Sequence, residues 1–219
     1  MDTQEKFIIT ISRELGSGGR TIGRKLAAQL GARFCDKDLI HSLMDKFNLT
    51  TYEIEQIKGK KKNWLADFLD RVAPVPTAGS LLGPNPAFPE TSIPHYATSD
   101  ELFAAETEVL RELADEGGSC IIAGRSGFFV LKDQPNKLDI FIRASLDNRV
   151  KRVMQRQNLS EKEARTVIAT VDEGRDNYIK RYTGTNRHDA RNYDLVLNVD
   201  GISEDDAVQL ILDYIKYSA

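Results

Sequence analysis

The chain has no apolar run near the roughly 18 consecutive residues that a bilayer crossing requires, so no membrane span is expected. Cysteine is scarce: Cys35 and Cys120 lack metal-ligand spacing, and the N-terminus has no signal-like apolar segment. Both thiols read as small buried apolar groups of a protein kept in a reducing cytoplasm. The three histidines, His41, His95 and His188, are scattered, with neither metal spacing nor a partnered nucleophile, and read as ordinary surface or core residues. An excess of one charge is missing too. Thirty Lys and Arg stand against 33 Asp and Glu, a net of −3, so nothing global favours nucleic acid or an anionic membrane as the main partner. The basic run "KGKKK", Lys58 to Lys62, reads as a solvated helix end, and there is no internal repeat. With these classes set aside, 219 residues that are 41% hydrophobic and 29% charged make one soluble globular domain acting on small ligands.

What is present is an alternation. Phe7 to Ile11 is a short β-branched run that reads as a buried strand; from Thr21 to Leu30 the apolar residues recur at helical spacing, with a stop at Gly31. Residues 32–35, 119–123, 138–142 and 195–199 read as four more strands. Helical patterns separate and follow them: Leu102, Phe103, Val109, Leu110 and Leu113; Val150, Val153 and Met154; Ser160 to about Tyr182; and Val208, Ile211, Leu212 and Ile215. Alternating strands and helices predict an α/β fold, a three-layer α/β/α arrangement with about five parallel strands covered on both faces and joined by right-handed connections.

Two stretches break the rhythm. After the second strand, Leu39 to Phe47 and Ile54 to Ile57 read as helices, and Trp64 and Phe68 as core at helical spacing. Residues 73–98 then hold six of the seven prolines and read as a long functional or mobile loop. The second stretch is the arginine-dotted helix from Ser160, closed by "TGTNRHDARNYD". Both are candidate covers over a site.

The site itself is suggested by "TISRELGSGGRTIGRKL". A loop that holds phosphate turns backbone N–H groups inward, which glycine permits, and the helix after it offers its positive end to the anion. Gly16, Ser17, Gly18 and Gly19 lie between a strand and a helix and meet that requirement. Against the P-loop pattern G-x-x-x-x-G-K-[ST], however, residues 13–20 read Arg-Glu-Leu-Gly-Ser-Gly-Gly-Arg, so the first glycine, the lysine and the hydroxyl are all replaced. Arg20, Arg13 or Lys25 are the cations able to restore charge, and Thr21 or Ser17 the hydroxyls.

This loop, with "FCDKDLI", "SDELFAAETEVLRELA", "IIAGRSGFFVL", "LDIFIRASLDNRVKRVM" and "NYDLVLNVDGIS", resembles the cytidylate kinase-like proteins, a branch of the P-loop nucleoside monophosphate kinases, over nearly the whole chain and in the same order. The resemblance implies a P-loop kinase core of residues 1–36, 106–156 and 191–219, a helical acceptor-binding insert at 37–105 and a lid at 157–190. It implies ATP-dependent phosphoryl transfer, with Mg²⁺, to a small phosphorylated acceptor, CMP or another nucleoside monophosphate. The alternative is a regulatory nucleotide-binding protein whose degenerate loop supports little or no transfer.

In phosphoryl transfer the protein mainly supplies positive charge around the phosphates, so the arginines locate the chemistry. ATP is expected on Gly16, Ser17, Gly18, Gly19, Arg20 and Thr21, with Arg20 among the catalytic cations. By the resemblance Arg125 takes the acceptor phosphate, with Ser126 where the family has aspartate. Asp36 either holds metal and acceptor or caps a helix; Thr21 and Asp36 are the expected Mg²⁺ residues. Arg149, Arg152 and Arg156 share one helix face, Arg156 and Arg165 reading as solvated, and Arg175, Lys180 and Arg181 are expected to close over the transfer as lid arginines. Tyr178 and Tyr182 line the lid or merely pack it.

Overall fold

A computed structural model describes residues 1–36, 99–115 and 117–218. The expected helices at 39–57, the 73–98 loop, "KGKKK", Trp64, Phe68, His41, His95 and all of the insert before residue 99 lie outside the described residues.

Five strands form one parallel sheet: β1 (Ile8–Arg13), β2 (Arg33–Cys35), β3 (Cys120–Ala123), β4 (Lys137–Arg143) and β5 (Leu195–Asn198), in the order β2-β3-β1-β4-β5. The β-branched runs explain the strands, and burial on both faces explains the near-continuous apolar character of β1, β3 and β4. β1 sits centrally, with Ile9 opposite Ile121 of β3 and Leu138 of β4. The helices among the described residues are α1 (Gly19–Leu30), α2 (Ser99–Asp115), the short α3 (Gly127–Val130), α4 (Leu146–Gln157), α5 (Glu161–Thr183) and α6 (Glu204–Tyr217).

Strand alternation divides the core. Ile9, Ile11, Ile121, Ile140 and Ile142 face Ile22 and Leu26 of α1 and Val208, Ile211 and Ile215 of α6 in one cluster. Each such fully buried side chain contributes about 1.5–3 kcal/mol. On the other face α3 lies against β1 and β3, where a Cβ on Gly127 would touch Thr10 and Ile122. There Tyr193 stacks on Phe141 with centroids 5.2 Å apart, and His188 meets the edge of the same ring. Cys35 and Cys120 are free and buried. This is a three-layer α/β/α architecture.

α4 and α5 stand apart on a small cluster of their own, Val150, Val153, Ala164 and Ile168, into which Leu15 of the glycine loop packs. α5 begins with a capping box at Ser160 and Glu163 and ends at Gly184 in the left-handed conformation. No helix among the described residues is long and apolar enough to cross a membrane.

Candidate active site

β1 delivers Arg13 to the carboxyl edge of the sheet, where ligands of open α/β sheets bind. The chain then turns tightly: Glu14 N–H donates to Ile142 O at 3.1 Å, and the Glu14 carbonyl accepts from Ser17 N–H and from Ser17 Oγ at 2.9 Å. Ser17 therefore braces the loop from inside. Gly16 has φ +83°, and a Cβ there would lie 2.7 Å from the carbonyl oxygen of Arg149, so backbone and space both demand glycine. Gly18 caps α1 with no side-chain hydrogen bond and no acidic residue follows in the first turn, whereas Ser145, Ser160 and Ser203 cap α4, α5 and α6 with their hydroxyls. The N-terminus of α1 thus has no side-chain cap, and Arg152 and Glu204 lie against Gly18.

Two helices are pinned to this loop through Asp172 of α5. Its carboxylate accepts from Leu15 N–H at 3.0 Å, from Arg149 Nη1 at 2.5 Å and from Arg175 Nη1 at 3.2 Å. Arg175 Nη1 and Arg187 Nη1 each donate to the Arg13 carbonyl at 3.1 Å. Arg187, buried to 2% exposure, also holds Asp176 at 2.7 Å.

Two cavities open at this edge. The loop cavity, about 350 Å³, is bounded by Gly16, Gly18, Gly19, Arg20, Asp36, Arg152 and Arg156, together with Arg13 and Arg175. The second, about 320 Å³, is bounded by Ser12, Gly124, Arg125, Ser126, Tyr178 and Arg187, and again by Arg13 and Arg175. The two cavities thus share two arginines in their walls. Burial, and then the like charges of Arg175 and Arg125, draw the Arg13 guanidinium down to about 9, still charged at neutral pH. Burial also lowers Arg175, against the pull of Asp172. The floor of the second cavity is strained: Gly124, Arg125 and Ser126 have φ of 90°, 54° and 55° in succession. Arg125 Nη1 pairs with Glu106 Oε1 at 2.6 Å, and that carboxylate is 1% exposed. Tyr178 donates to the same group at 2.6 Å, and burial, then Glu106, pushes its hydroxyl well up.

A family model described as the cytidylate kinase-like family matches residues 8–201. The chain belongs to the cytidylate kinase-like family. A cytidylate kinase of Sulfurisphaera tokodaii is 25% identical over 122 residues, covering 54% of this chain and 67% of that one. A uronate isomerase of Corynebacterium glutamicum is 29% identical over 119 residues, 54% of this chain, which thus spans only 23% of that relative. Among solved structures, an uncharacterized protein from Eubacterium ventriosum superposes with a TM-score of 0.68 at 24% identity, covering 96% of this chain and 99% of that one, a likeness in fold alone.

In this member of the family, Gly16, Gly18, Gly19, Arg20 and Asp36 gather at the loop cavity, and Arg125 and Arg175 at the second. Arg20 is turned onto Asp36 at 2.5 Å, so Asp36 meets a cation. The Thr21 hydroxyl accepts from Arg156 Nη2 at 3.0 Å. Arg156, read from sequence as solvated, is half exposed yet reaches the loop, and with Arg152 it also holds Glu204. Arg165 is indeed an exposed partner of Asp147 and Glu161. Lys180 and Arg181 line neither cavity. Lys180 donates to Gly184 O and Arg181 pairs with Asp100, both at the surface. Tyr182 stacks on Phe103 at 4.2 Å and packs rather than lines the site. Sequence reasoning passed over Asp172, Glu106 and Arg187 as site residues; only Arg187 carried a signal, in the closing segment "TGTNRHDARNYD".

Proposed function

We propose that the protein transfers the γ-phosphoryl group of ATP to a small phosphorylated acceptor, CMP or another nucleoside monophosphate. The observation that carries the reading is the shared wall: two cavities at the carboxyl edge of the sheet, one at the N-terminus of α1, which has no side-chain cap, meet at Arg13 and Arg175. ATP phosphates rest on Gly16 to Thr21, the acceptor phosphate meets Arg125, and Arg175 sits where the two substrates face each other. An acceptor oxygen attacks the γ-phosphorus, the bond to the β-phosphate oxygen breaks with its electrons staying on ADP, and the acceptor proton passes to solvent. Positive charge around the phosphoryl oxygens stabilises this transfer.

Within this reading α5 and its flanks, residues 157–190, act as the lid, supported by the separate α4–α5 cluster, and residues 37–105 act as the acceptor insert. The hard oxygens of Asp36 and Thr21 suit Mg²⁺, which takes one or two carboxylates beside substrate phosphates and water. Asp36 lines the loop cavity and is 5% exposed, so it is the residue to hold the ion once Arg20 turns to the nucleotide. When bound, the ion neutralises charge on the β- and γ-phosphates. A cytoplasmic location suits such substrates.

A second reading, a nucleotide-binding regulator with little transfer, is favoured by the pairing of Arg125 with buried Glu106 and of Arg20 with Asp36. A coupled ADP-release assay over a panel of nucleoside monophosphates separates the two. The kinase reading expects one acceptor to turn over, with a marked fall on Arg125→Met; nucleotide binding without turnover for any acceptor supports the regulator.

A further inference from the structure

We propose that Arg13 is the catalytic cation that replaces the missing loop lysine, its guanidinium placed on the γ-phosphoryl oxygens of a bound triphosphate; this rests on the phosphoryl-transfer reading above. Three cations near the loop compete for the role. Arg20 is held by Asp36 at 2.5 Å. Lys25 donates to Asp205 at 2.8 Å and lines neither cavity. Arg13 is left: among the described residues its guanidinium makes no hydrogen bond or ion pair with a carboxylate or carbonyl, and beside Arg175, Arg125 and Arg20 only the charge of Asp36, already paired with Arg20, acts in its favour. A mostly buried, unpartnered cation among like charges is costly unless an anion joins it.

The loop also shows how the substitution is built. In register with G-x-x-x-x-G-K-[ST], Arg13 stands at the first glycine and Gly19 at the lysine. The two exchanges compensate in space. A Cβ on Gly19 would lie 2.7 Å from Arg13 Cβ and 3.1 Å from Arg13 Cγ, so the Arg13 stem fills the volume where a side chain at 19 would begin. From there the side chain crosses the edge of the sheet until its guanidinium packs on Gly124, where any Cβ would collide with it. Glycine at both ends opens the channel the arginine occupies. Its carbonyl is fixed by Arg175 and Arg187, so the base of the side chain is held beside the loop cavity at Gly19 while its head reaches the second cavity at Gly124. Arg13 takes no proton and gives none during transfer. It donates N–H groups to the charge spread over the γ oxygens, with Arg175 alongside.

The test is calorimetric titration of ADP and of a non-hydrolysable ATP analogue, each with Mg²⁺, into wild type, Arg13→Lys, Arg13→Gly, Gly19→Lys and the double exchange Arg13→Gly/Gly19→Lys. Arg13→Gly is expected to weaken the triphosphate analogue by at least about tenfold, as loss of a charged hydrogen bond does, with ADP nearly unchanged. Gly19→Lys alone collides with Arg13 and weakens both nucleotides; the double exchange restores the usual pattern and regains the triphosphate preference. Arg13→Lys preserves part of it and guards against misfolding. Equal weakening of both nucleotides in Arg13→Gly, an unchanged preference, or a double exchange no better than Arg13→Gly each overturns the proposal. A wild type that binds neither nucleotide removes the functional reading and this proposal together. A wild type that binds both but phosphorylates nothing removes only the transfer reading, and the Arg13 comparison still decides.

Discussion

Replacing Asp172 by Asn tests whether the glycine loop owes its shape to the lid helix. The carboxylate is 15% exposed and serves Leu15 N–H at 3.0 Å, Arg149 at 2.5 Å and Arg175 at 3.2 Å, with Arg187 at 3.7 Å. Asparagine keeps one acceptor for Leu15 but removes the charge, leaving Arg175 without a carboxylate and Arg149 and Arg187 with only Glu14 and Asp176, all beside Arg13. Removing one partner of a buried ion pair costs about 3–5 kcal/mol, and the residual exposure trims that to about 2–4 kcal/mol. For a chain of this size the midpoint of thermal unfolding should fall by roughly 4–16 °C, at 2–4 °C per kcal/mol. Nucleotide affinity should fall with it, because Arg175 and Arg187, which hold the Arg13 carbonyl, lose the charge that positions them. Differential scanning fluorimetry with and without ADP reads both effects. The control is Asp189→Asn, whose partner Arg191 is 90% exposed and which should leave the midpoint in place. A melting point for Asp172→Asn within a degree of wild type refutes the anchor.

Two further outcomes follow from the same geometry. Gly16→Ala forces a left-handed residue against the Arg149 carbonyl oxygen at 2.7 Å, so urea unfolding should show a loss of about 2–4 kcal/mol and nucleotide binding should weaken; wild-type behaviour would show that the loop tolerates a side chain there. Glu106→Gln removes the buried partner of Arg125 at 2.6 Å and should cost about 3 kcal/mol, while inorganic phosphate binds more tightly because Arg125 is released; phosphate affinity that falls along with stability contradicts a phosphate role for Arg125.

Much of the architecture was legible because local preference and burial agree. The apolar runs at 7–11, 138–142 and 195–199 became β1, β4 and β5 with ends shifted by a residue or two, and the helix expected at 160–182 is Glu161–Thr183. Strand order was not legible, since β3 inserts between β1 and β2 through contacts far apart in sequence. At the candidate site, the sequence position of the glycines and of Arg125 just after β1 and β3 already puts them at the carboxyl edge where the two cavities lie. Lys180 and Arg181 could not: Val171, Gly174, Arg175, Tyr178 and Ile179 share one helical face toward the second cavity, position 180 points away from it at 100° per residue, and Arg181, at the edge of that face, is taken by Asp100. Arg156 read as solvated because only the fold brings Thr21 and Glu204 to it. Arg13 was visible as a lost glycine, but its exchange with Gly19 becomes apparent only when their atoms are seen to compete for one volume.

The most direct measurement is a crystal structure with a non-hydrolysable ATP analogue and Mg²⁺. The account predicts α- and β-phosphate density on the amides of Gly16 to Thr21 and the γ-phosphate between Arg13 and Arg175. A triphosphate bound elsewhere, or one on the loop with its γ-phosphate turned away from both guanidinium groups, contradicts it.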